Sequence, residues 1–344
     1  YPTSFVLWNI LGVANKGLNK IDEATNAFRK VTQLNPNYAD GYSNLGVALG
    51  DQDQLDEAIR AYETAINLQP NFHEAHNNMG TVLRRKGQLE QAINSYKKAI
   101  TIKPNYIEAH NNLGVALAKK DNLREAIASY QQALSLKPDY AEAYSNMGIA
   151  LKEQGKLVEA VDAYNKALAI KPDYAEAYNN MGVTLKEQGK LEEAIDAYNK
   201  ALAIKPDYAE AYSNMGVTLQ EQGKLEEAIK VYKKALAIKP DYAEVRHMIS
   251  SLTGEKTTSP PRQYIENLFD GYSKKFEESL VGNLEYKIPK LLTDIIVKEH
   301  GSGALGSVLD LGCGTGLTGL EIKDFCNNLE GVDLSKKMLE LANA

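Results

Sequence analysis

Cysteine is nearly missing from these 344 residues: Cys313 and Cys326 are the whole complement. Two thiols support neither a disulfide framework nor a cysteine-based zinc site, so a reducing, cytoplasmic setting is expected. A cationic excess is missing too. Lys and Arg number 39 against 45 Asp and Glu, for a formal net charge of −6. A surface that tracks phosphates needs local positive excess, so general nucleic-acid binding is not expected. No apolar run approaches the roughly 18–20 residues of a membrane span. What remains is 44% hydrophobic and 24% charged, enough to bury a core. At roughly 150 residues per domain, the length suggests about two domains. The chain opens on Tyr1 rather than Met, and Leu341–Ala344 stops inside a helical pattern, so both ends are expected to be cut. The lack of a signal peptide therefore weighs little.

Proline is sparse but ordered. Residues 36, 70, 104, 138, 172, 206 and 240 are prolines 34 apart, and glycines 12, 46, 80, 114, 148, 182 and 216 keep the same period. Such a period marks an internal repeat. Each unit reads as two helices, as in Ala175–Leu185 and Leu191–Leu202, joined by the turn Glu187-Gln188-Gly189-Lys190. Apolar residues recur at i, i+3/i+4 and i+7, the spacing of a buried stripe. Pro206 ends the second helix because it cannot continue the hydrogen-bond ladder. Gly182 and Ala194 are expected where the paired helices approach most closely, with Tyr178, Leu185 and Tyr198 filling the gaps between neighbouring pairs. One pair cannot bury its apolar face alone, so the units must stack.

Tyr178, Gly182, Leu185, Ala194, Tyr198, Ala201 and Pro206 resemble the signature of the tetratricopeptide repeat (TPR). The resemblance covers about residues 5–253, with His76 and His110 replacing the aromatic and Asn15 replacing an apolar residue. It implies a mostly α fold: a right-handed superhelix of seven 34-residue helix-turn-helix repeats, capped by the helix beginning at Tyr242. Asn44, Asn78, Asn112, Asn146, Asn180 and Asn214 recur two residues before the glycine, each preceded by Ser43, Asn77, Asn111, Ser145, Asn179 or Ser213. A carboxamide donates and accepts at once, so such a row suits an extended peptide backbone held without reading its sequence. The row looks like the asparagine ladder in the repeats of O-linked N-acetylglucosamine transferases. That resemblance implies a peptide or protein partner in the concave groove, bound by this row together with Asn77, Asn111 and Asn179. The alternative is that these asparagines only satisfy local backbone and recur because the unit was duplicated. The chaperone-tail clamp of other TPR proteins fits poorly, since Asn77/Thr81 and Asn111/Val115 stand where it needs Lys and Asn. Arg84-Arg85-Lys86 and Lys119-Lys120 read as a solvated face balanced by Glu74 and Glu108. His73, His76 and His110 lack the converging ligands of a zinc site.

After Thr257-Thr-Ser-Pro-Pro261, read as a linker, the period stops. Residues 255–344 carry 10 basic and 14 acidic side chains, so no cationic surface is expected there. Helical patterns are expected near 262–280 and 285–299. Val308–Leu311 is an apolar run suited to a buried parallel strand, followed by Gly312-Cys-Gly314-Thr-Gly316-Leu-Thr-Gly319 and then a helix over 317–327. Gly331-Val332-Asp333 reads as the tip of a second strand, whose acid suits two ribose hydroxyls. Gly314–Gly319 also matches the dinucleotide GxGxxG string, which leaves a nicotinamide site open. Against it, Asp310 lies two residues before Gly312, and a carboxylate there would repel a pyrophosphate on the helix N-terminus. A cofactor with a sulfonium and an ammonium tolerates that neighbour.

Val308–Gly316 and Gly331-Val-Asp333-Leu-Ser335-Lys-Lys-Met338 resemble the first two motifs of class I S-adenosylmethionine-dependent methyltransferases. Tyr264–Phe276 resembles the leading helix of bacterial TPR–methyltransferase fusions. The resemblance implies S-adenosylmethionine as cofactor in the complete protein. Gly312, Gly314 and Gly316 would lie beneath it, Asp310 would place its amino group, Asp333 would bind ribose, and Leu334 and Met338 would flank adenine. It implies residues 1–253 as the TPR array, 254–262 as linker and 263–344 as the N-terminal portion of an incomplete α/β Rossmann-like domain. The catalytic and acceptor-selecting residues would lie beyond Ala344, leaving no catalytic residue and no methyl acceptor to name. The expected function is a TPR interaction scaffold joined to a methyltransferase. The alternatives are a TPR scaffold with no enzymatic role, and a nicotinamide-binding domain.

Overall fold

The computed structural model describes residues 3–255, 262, 265–266, 268–270, 287–300 and 305–342. Residues 256–261 of the expected linker and most of the segment 262–286 lie outside the described residues. The chain divides into two compact units, Tyr1–Gln222 and Gly223–Ala344.

The first unit is a succession of antiparallel helix pairs. The first helices of the repeats are α1 (Phe5–Gly17), α3 (Ala39–Asp51), α5 (His73–Arg85), α7 (Ile107–Lys119), α9 (Ala141–Glu153), α11 (Ala175–Glu187) and α13 (Ala209–Glu221). The second helices are α2 (Ile21–Leu34), α4 (Leu55–Leu68), α6 (Leu89–Ile102), α8 (Leu123–Leu136), α10 (Leu157–Ile170) and α12 (Leu191–Ile204). From α1 to α12 each first helix packs against its own second helix, and each second helix packs against the first helix of the next repeat.

Local chemistry sets both turns of the repeat. At the end of each second helix the residue before proline is pushed out of the helical region, as at Lys171 (φ −127°) and Lys205 (φ −128°). Proline's ring forces that extended geometry on its predecessor. The lysine then lays its ammonium over the ring of the tyrosine three residues on, 4.6 Å from the centroid for Lys171 over Tyr174 and Lys205 over Tyr208. Between the two helices one residue adopts left-handed geometry. Gly87, Gly155 and Gly189 do so at φ +82°, +76° and +76°, and Asn19, Asp53 and Asp121 take the same place at φ +58°, +61° and +63°. Asn and Asp are the residues after glycine that tolerate this conformation.

The core is built from small residues set against one large ring. Ala24, Ala58, Ala92, Ala126, Ala160 and Ala194 are fully buried. Tyr62, Tyr96, Tyr130, Tyr164 and Tyr198 are buried beside them, with Phe28 in the first repeat. Each ring lies on the glycine of its own first helix. A Cβ on Gly182 would stand 2.6 Å from Tyr198 Cε1, and one on Gly114 would stand 2.5 Å from Tyr130 Cε1. Real Cβ contacts are never so short, so glycine is what lets the ring and the helix meet. The Tyr96 hydroxyl donates to Thr81 Oγ1 at 3.2 Å, while burial pushes the Tyr62, Tyr130, Tyr164 and Tyr198 hydroxyls well above the usual range.

The second unit contains α14 (Leu225–Ile238) and α15 (Ala243–Thr253), which pack together. α15 lies where the helix beginning at Tyr242 is expected and ends at Gly254, φ +75°. Further on come α16 (Ile288–His300), β1 (Ser307–Leu311), α17 (Leu317–Ile322), β2 (Asn328–Val332) and α18 (Lys336–Ala342). The helix expected over 317–327 is shorter, because Lys323–Phe325 tightens into a 3-10 turn before β2. β1 and β2 pair in parallel, Asp310 opposite Gly331 and Leu311 opposite Val332. The described residues hold this two-stranded sheet, with Leu309, Leu311 and Val332 exposed; a complete Rossmann-like domain is not among them.

The tyrosine seat predicts a specific coupling. Gly182→Ala should lower stability by about 1–3 kcal/mol through overpacking, and much less in a Tyr198→Leu background. Gly189→Ala meets no atom within 4 Å, so its cost of about 1 kcal/mol should be the same in both backgrounds. Chemical denaturation of the four variants measures this.

Candidate functional site

Six asparagines stand at the same place on successive first helices, and the structure gives them one environment. Asn44, Asn78, Asn112, Asn146, Asn180 and Asn214 are all half-buried. Asn77, Asn111 and Asn179, their predecessors, are buried at 6–7% exposure. A hydrogen bond joins one repeat to the next: Asn112 Nδ2 donates to Asn77 Oδ1 at 3.0 Å, Asn146 to Asn111 at 3.2 Å, and Asn214 to Asn179 at 3.0 Å. Asn44 donates in the same way to Asn9 at 3.0 Å. At two of the three places where asparagines adjoin, the inner one donates outward, Asn77 to Asn78 at 3.2 Å and Asn179 to Asn180 at 3.4 Å.

The row therefore has two layers. The buried layer accepts from the following repeat and orients the outer amides. An asparagine side chain has two N–H donors and one oxygen with two lone pairs. One such bond leaves most of that capacity on Asn44, Asn112, Asn146 and Asn214, which donate to the preceding repeat, and on Asn78 and Asn180, which accept from their inner neighbours. Sequence reasoning grouped both layers together, since adjacency in sequence does not reveal which side chain turns inward. The bonds also show that the row helps hold the repeats together.

The basic clusters serve the stack in a way that differs from expectation. Arg85 donates to the Gly50 carbonyl at 2.7 Å and to Asp53 at 3.0 Å. Lys86 pairs with Asp56 and Lys120 with Glu90. Their partners thus sit one repeat earlier, rather than at Glu74 and Glu108, because the C-terminal ends of α5 and α7 face the acidic N-terminal regions of α4 and α6. His73 lies 3.0 Å from Glu74 and 3.2 Å from the Lys103 ammonium. His76 is buried against the Pro70 carbonyl at 3.2 Å, and burial pulls its imidazole below the usual range. Among the described residues no group of three or more His, Cys, Asp or Glu could hold a metal.

In the second unit the glycine loop crosses the C-terminal ends of β1 and β2. Gly312, Gly314 and Gly316 have φ of +77°, +55° and +84°, geometry that side chains rarely adopt. Gly312 and Cys313 donate their N–H groups to the Val332 carbonyl at 2.7 and 3.1 Å. The Asp333 carboxylate is held at both oxygens, accepting from Gly314 N at 3.0 Å and Ser335 N at 2.8 Å. A cavity of about 250 Å³ opens here, lined by Asp310, Cys313, Gly316, Leu320, Gly331 and Leu339 among others. Asp310 Oδ2 is buried without a hydrogen-bond partner. Burial, then the nearby Asp333 charge, raises its carboxyl above the ordinary aspartate range. Burial followed by Asp310 and Asp333 raises the Cys313 thiol as well.

Two of the expected contacts part company. Leu334 is 49% exposed beside Asp333, whereas Met338 is only 1% exposed. Met338 thus packs inside, with no open face for a flat ring, because its place on α18 turns it inward. Sequence reasoning missed Asp270 and Ser335. The Ser335 hydroxyl donates to Asp270 Oδ1 and accepts from Met338 N at 3.1 Å. Ser335 was signalled as a helix N-cap two residues after an acid; Asp270, 65 residues earlier, had no local signal.

Residues 38–238 match the family model described as the cilia and flagella-associated protein 70 C-terminal domain, and residues 17–53 match a TPR repeat model. The chain belongs to this family of tetratricopeptide repeat proteins. Among solved structures it is similar to MamA, at 33% identity over 48% of this chain and 96% of that one, with a TM-score of 0.44. YrrB, described as a TPR protein with an unusual peptide-binding site, is 28% identical over 55% and 97% of the two chains, with a TM-score of 0.45. A tetratricopeptide repeat protein from Parabacteroides merdae is 18% identical over 72% and 98%, with a TM-score of 0.59, a likeness of fold. No curated protein matches the chain. Among the described residues no helix is long and apolar enough to cross a membrane.

The two-layer row predicts a stability effect. Asn146→Ala leaves the buried Asn111 Oδ1 without its donor and should cost about 1–2 kcal/mol. Ser145→Ala, on the adjacent position, provides the control for a polar loss that leaves this bond intact. Denaturant titration compares the two.

Proposed function

We propose that the repeats hold an extended segment of a partner protein, with its backbone bonded by Asn44, Asn78, Asn112, Asn146, Asn180 and Asn214. Asn77, Asn111 and Asn179 fix those amides from behind. The observation that carries this reading is the inter-repeat bond itself. An amide anchored at one atom loses little further freedom when it meets a ligand, and such preorganisation favours binding. Recognition of backbone rather than side chains implies tolerance of many sequences.

The test uses a set of short fluorescein-labelled peptides of unrelated sequence, read by anisotropy. Asn146→Ala combined with Asn180→Ala should weaken every binding peptide in parallel, by about tenfold. Unchanged affinities would retire the row as a binding surface. From sequence alone this double variant is expected to keep its melting temperature. The Asn146–Asn111 bond changes that expectation, so affinity must be read well below the transition.

A second reading concerns the glycine loop, favoured by the unpartnered, buried oxygen of Asp310. We propose that this unit is part of a methyltransferase and holds S-adenosylmethionine. The open glycines and the paired acids suit a cationic cofactor better than a pyrophosphate, which the same carboxylates would repel. Gly312, Gly314 and Gly316 would lie beneath it, Asp310 near its ammonium, Asp333 at the ribose and Leu334 beside adenine. When bound, the sulfonium supplies a transferable methyl group; this chain's own residues bind and orient. An in-line approach of acceptor and sulfonium is mainly a matter of positioning.

Calorimetric titration should show uptake of S-adenosylmethionine, lost in Asp333→Ala. A cation favours the ionised form of Asp310, so uptake should weaken as pH falls into that group's raised range. NADH taken up in place of S-adenosylmethionine would establish the nicotinamide alternative. Heat from neither would leave the repeats as the functional part.

A further inference from the structure

Outside the glycine loop, one side chain ties a distant part of the second unit to it. Asp270 belongs to a helical segment that precedes β1, with residues 265–266 and 268–270 helical. Its Oδ1 accepts the Ser335 hydroxyl and the Lys337 N–H, the latter at 3.4 Å. Ser335 is buried to 1% exposure and caps α18 by accepting Met338 N–H at 3.1 Å. Through its own N–H it donates to Asp333 Oδ1 at 2.8 Å, and Asp333 Oδ2 accepts Gly314 N–H at 3.0 Å. The bonds run without a gap from the leading segment, through Ser335 and Asp333, to the middle glycine of the loop.

We propose that Asp270 is a positioning residue for the cofactor site: it sets the Ser335 rotamer, and through Ser335 the orientation of the Asp333 carboxylate and the Gly314 backbone. The inference rests on the reading of this loop as a cofactor site. A serine hydroxyl has three staggered rotamers. The one observed points the O–H at Asp270 while keeping the oxygen within reach of Met338 N–H. The acceptor must be strong to select it, and a carboxylate bonds a hydroxyl roughly twice as strongly as a neutral group does. Once Ser335 is fixed, its backbone N–H and that of Gly314 pin the two Asp333 oxygens from opposite sides. Each oxygen keeps a lone pair for a ribose hydroxyl. The bond that leads from Asp270 toward the loop is the one to the Ser335 hydroxyl.

The experiment is a calorimetric titration of the full chain with S-adenosylmethionine, joined to amide hydrogen exchange without it. Asp270→Ala should weaken uptake about tenfold, and Asp270→Asn, which keeps an acceptor oxygen but loses the charge, should fall between that variant and the parent. In a Ser335→Ala background, Asp270→Ala should produce no further loss, a coupling that a merely structural role would not show. Exchange at Gly314 and Ser335 should quicken in Asp270→Ala while β1 and β2 amides keep their rates. Equal affinity of Asp270→Ala and the parent would overturn the inference and leave the cofactor reading standing. No uptake by the parent would overturn the cofactor reading. In that case, unchanged Gly314 and Ser335 exchange in Asp270→Ala would overturn the relay too, and quickened exchange would uphold it as a loop-ordering device.

Discussion

The contact between one glycine and one tyrosine ring is the constraint on which the repeats depend. In each pair the ring from the second helix lies against bare backbone on the first, as Tyr198 does on Gly182. The ring fills a space that small residues such as Ala194 leave. With a Cβ in the way, the helices would separate and the alanines around the ring would lose their contacts. Close-packed interiors feel changes of even one methylene. That contact fixes the spacing within a pair. The left-handed residue between the helices and the proline after them fix how one pair leads to the next.

The asparagine row follows from that spacing. Because each first helix is held in the same place relative to its neighbours, residues 35 apart meet at hydrogen-bond distance, as Asn146 does with Asn111. The same side chains then serve two purposes. The buried layer satisfies its polar atoms within the stack, as buried polar groups must, and the outer layer presents amides already oriented. Stitching and binding are compatible here. A row that only stitched would be as well served by the inner residues, where Ser43, Ser145 and Ser213 stand in for Asn in three repeats.

Much of this was legible in sequence because it is local and periodic. Pro206, Gly189 and Gly182 announce a turn, a left-handed position and a close approach by residue type alone. The equivalence of Asn19, Asp53 and Asp121 with those glycines follows from the period once the turn is known. What escaped was orientation and distance in space. The sequence places Asn179 and Asn180 side by side and does not reveal that one is buried behind the other. It lists Met338 as a neighbour of Asp333 without showing that α18 turns it inward. It offers Glu74 and Glu108 as partners for the basic clusters, whereas helix packing brings Asp53, Asp56 and Glu90 instead. Asp270 meets Ser335 only because the chain folds back on itself.

The central claim is that one row of anchored amides faces a ligand backbone. It is tested most directly by labelling the protein with side-chain 15N-asparagine and following those amide resonances while a binding peptide is added. The account predicts that Asn78, Asn112, Asn146 and Asn180 shift together, with the buried Asn77, Asn111 and Asn179 moving less. Saturable binding that leaves all of these resonances in place would contradict it.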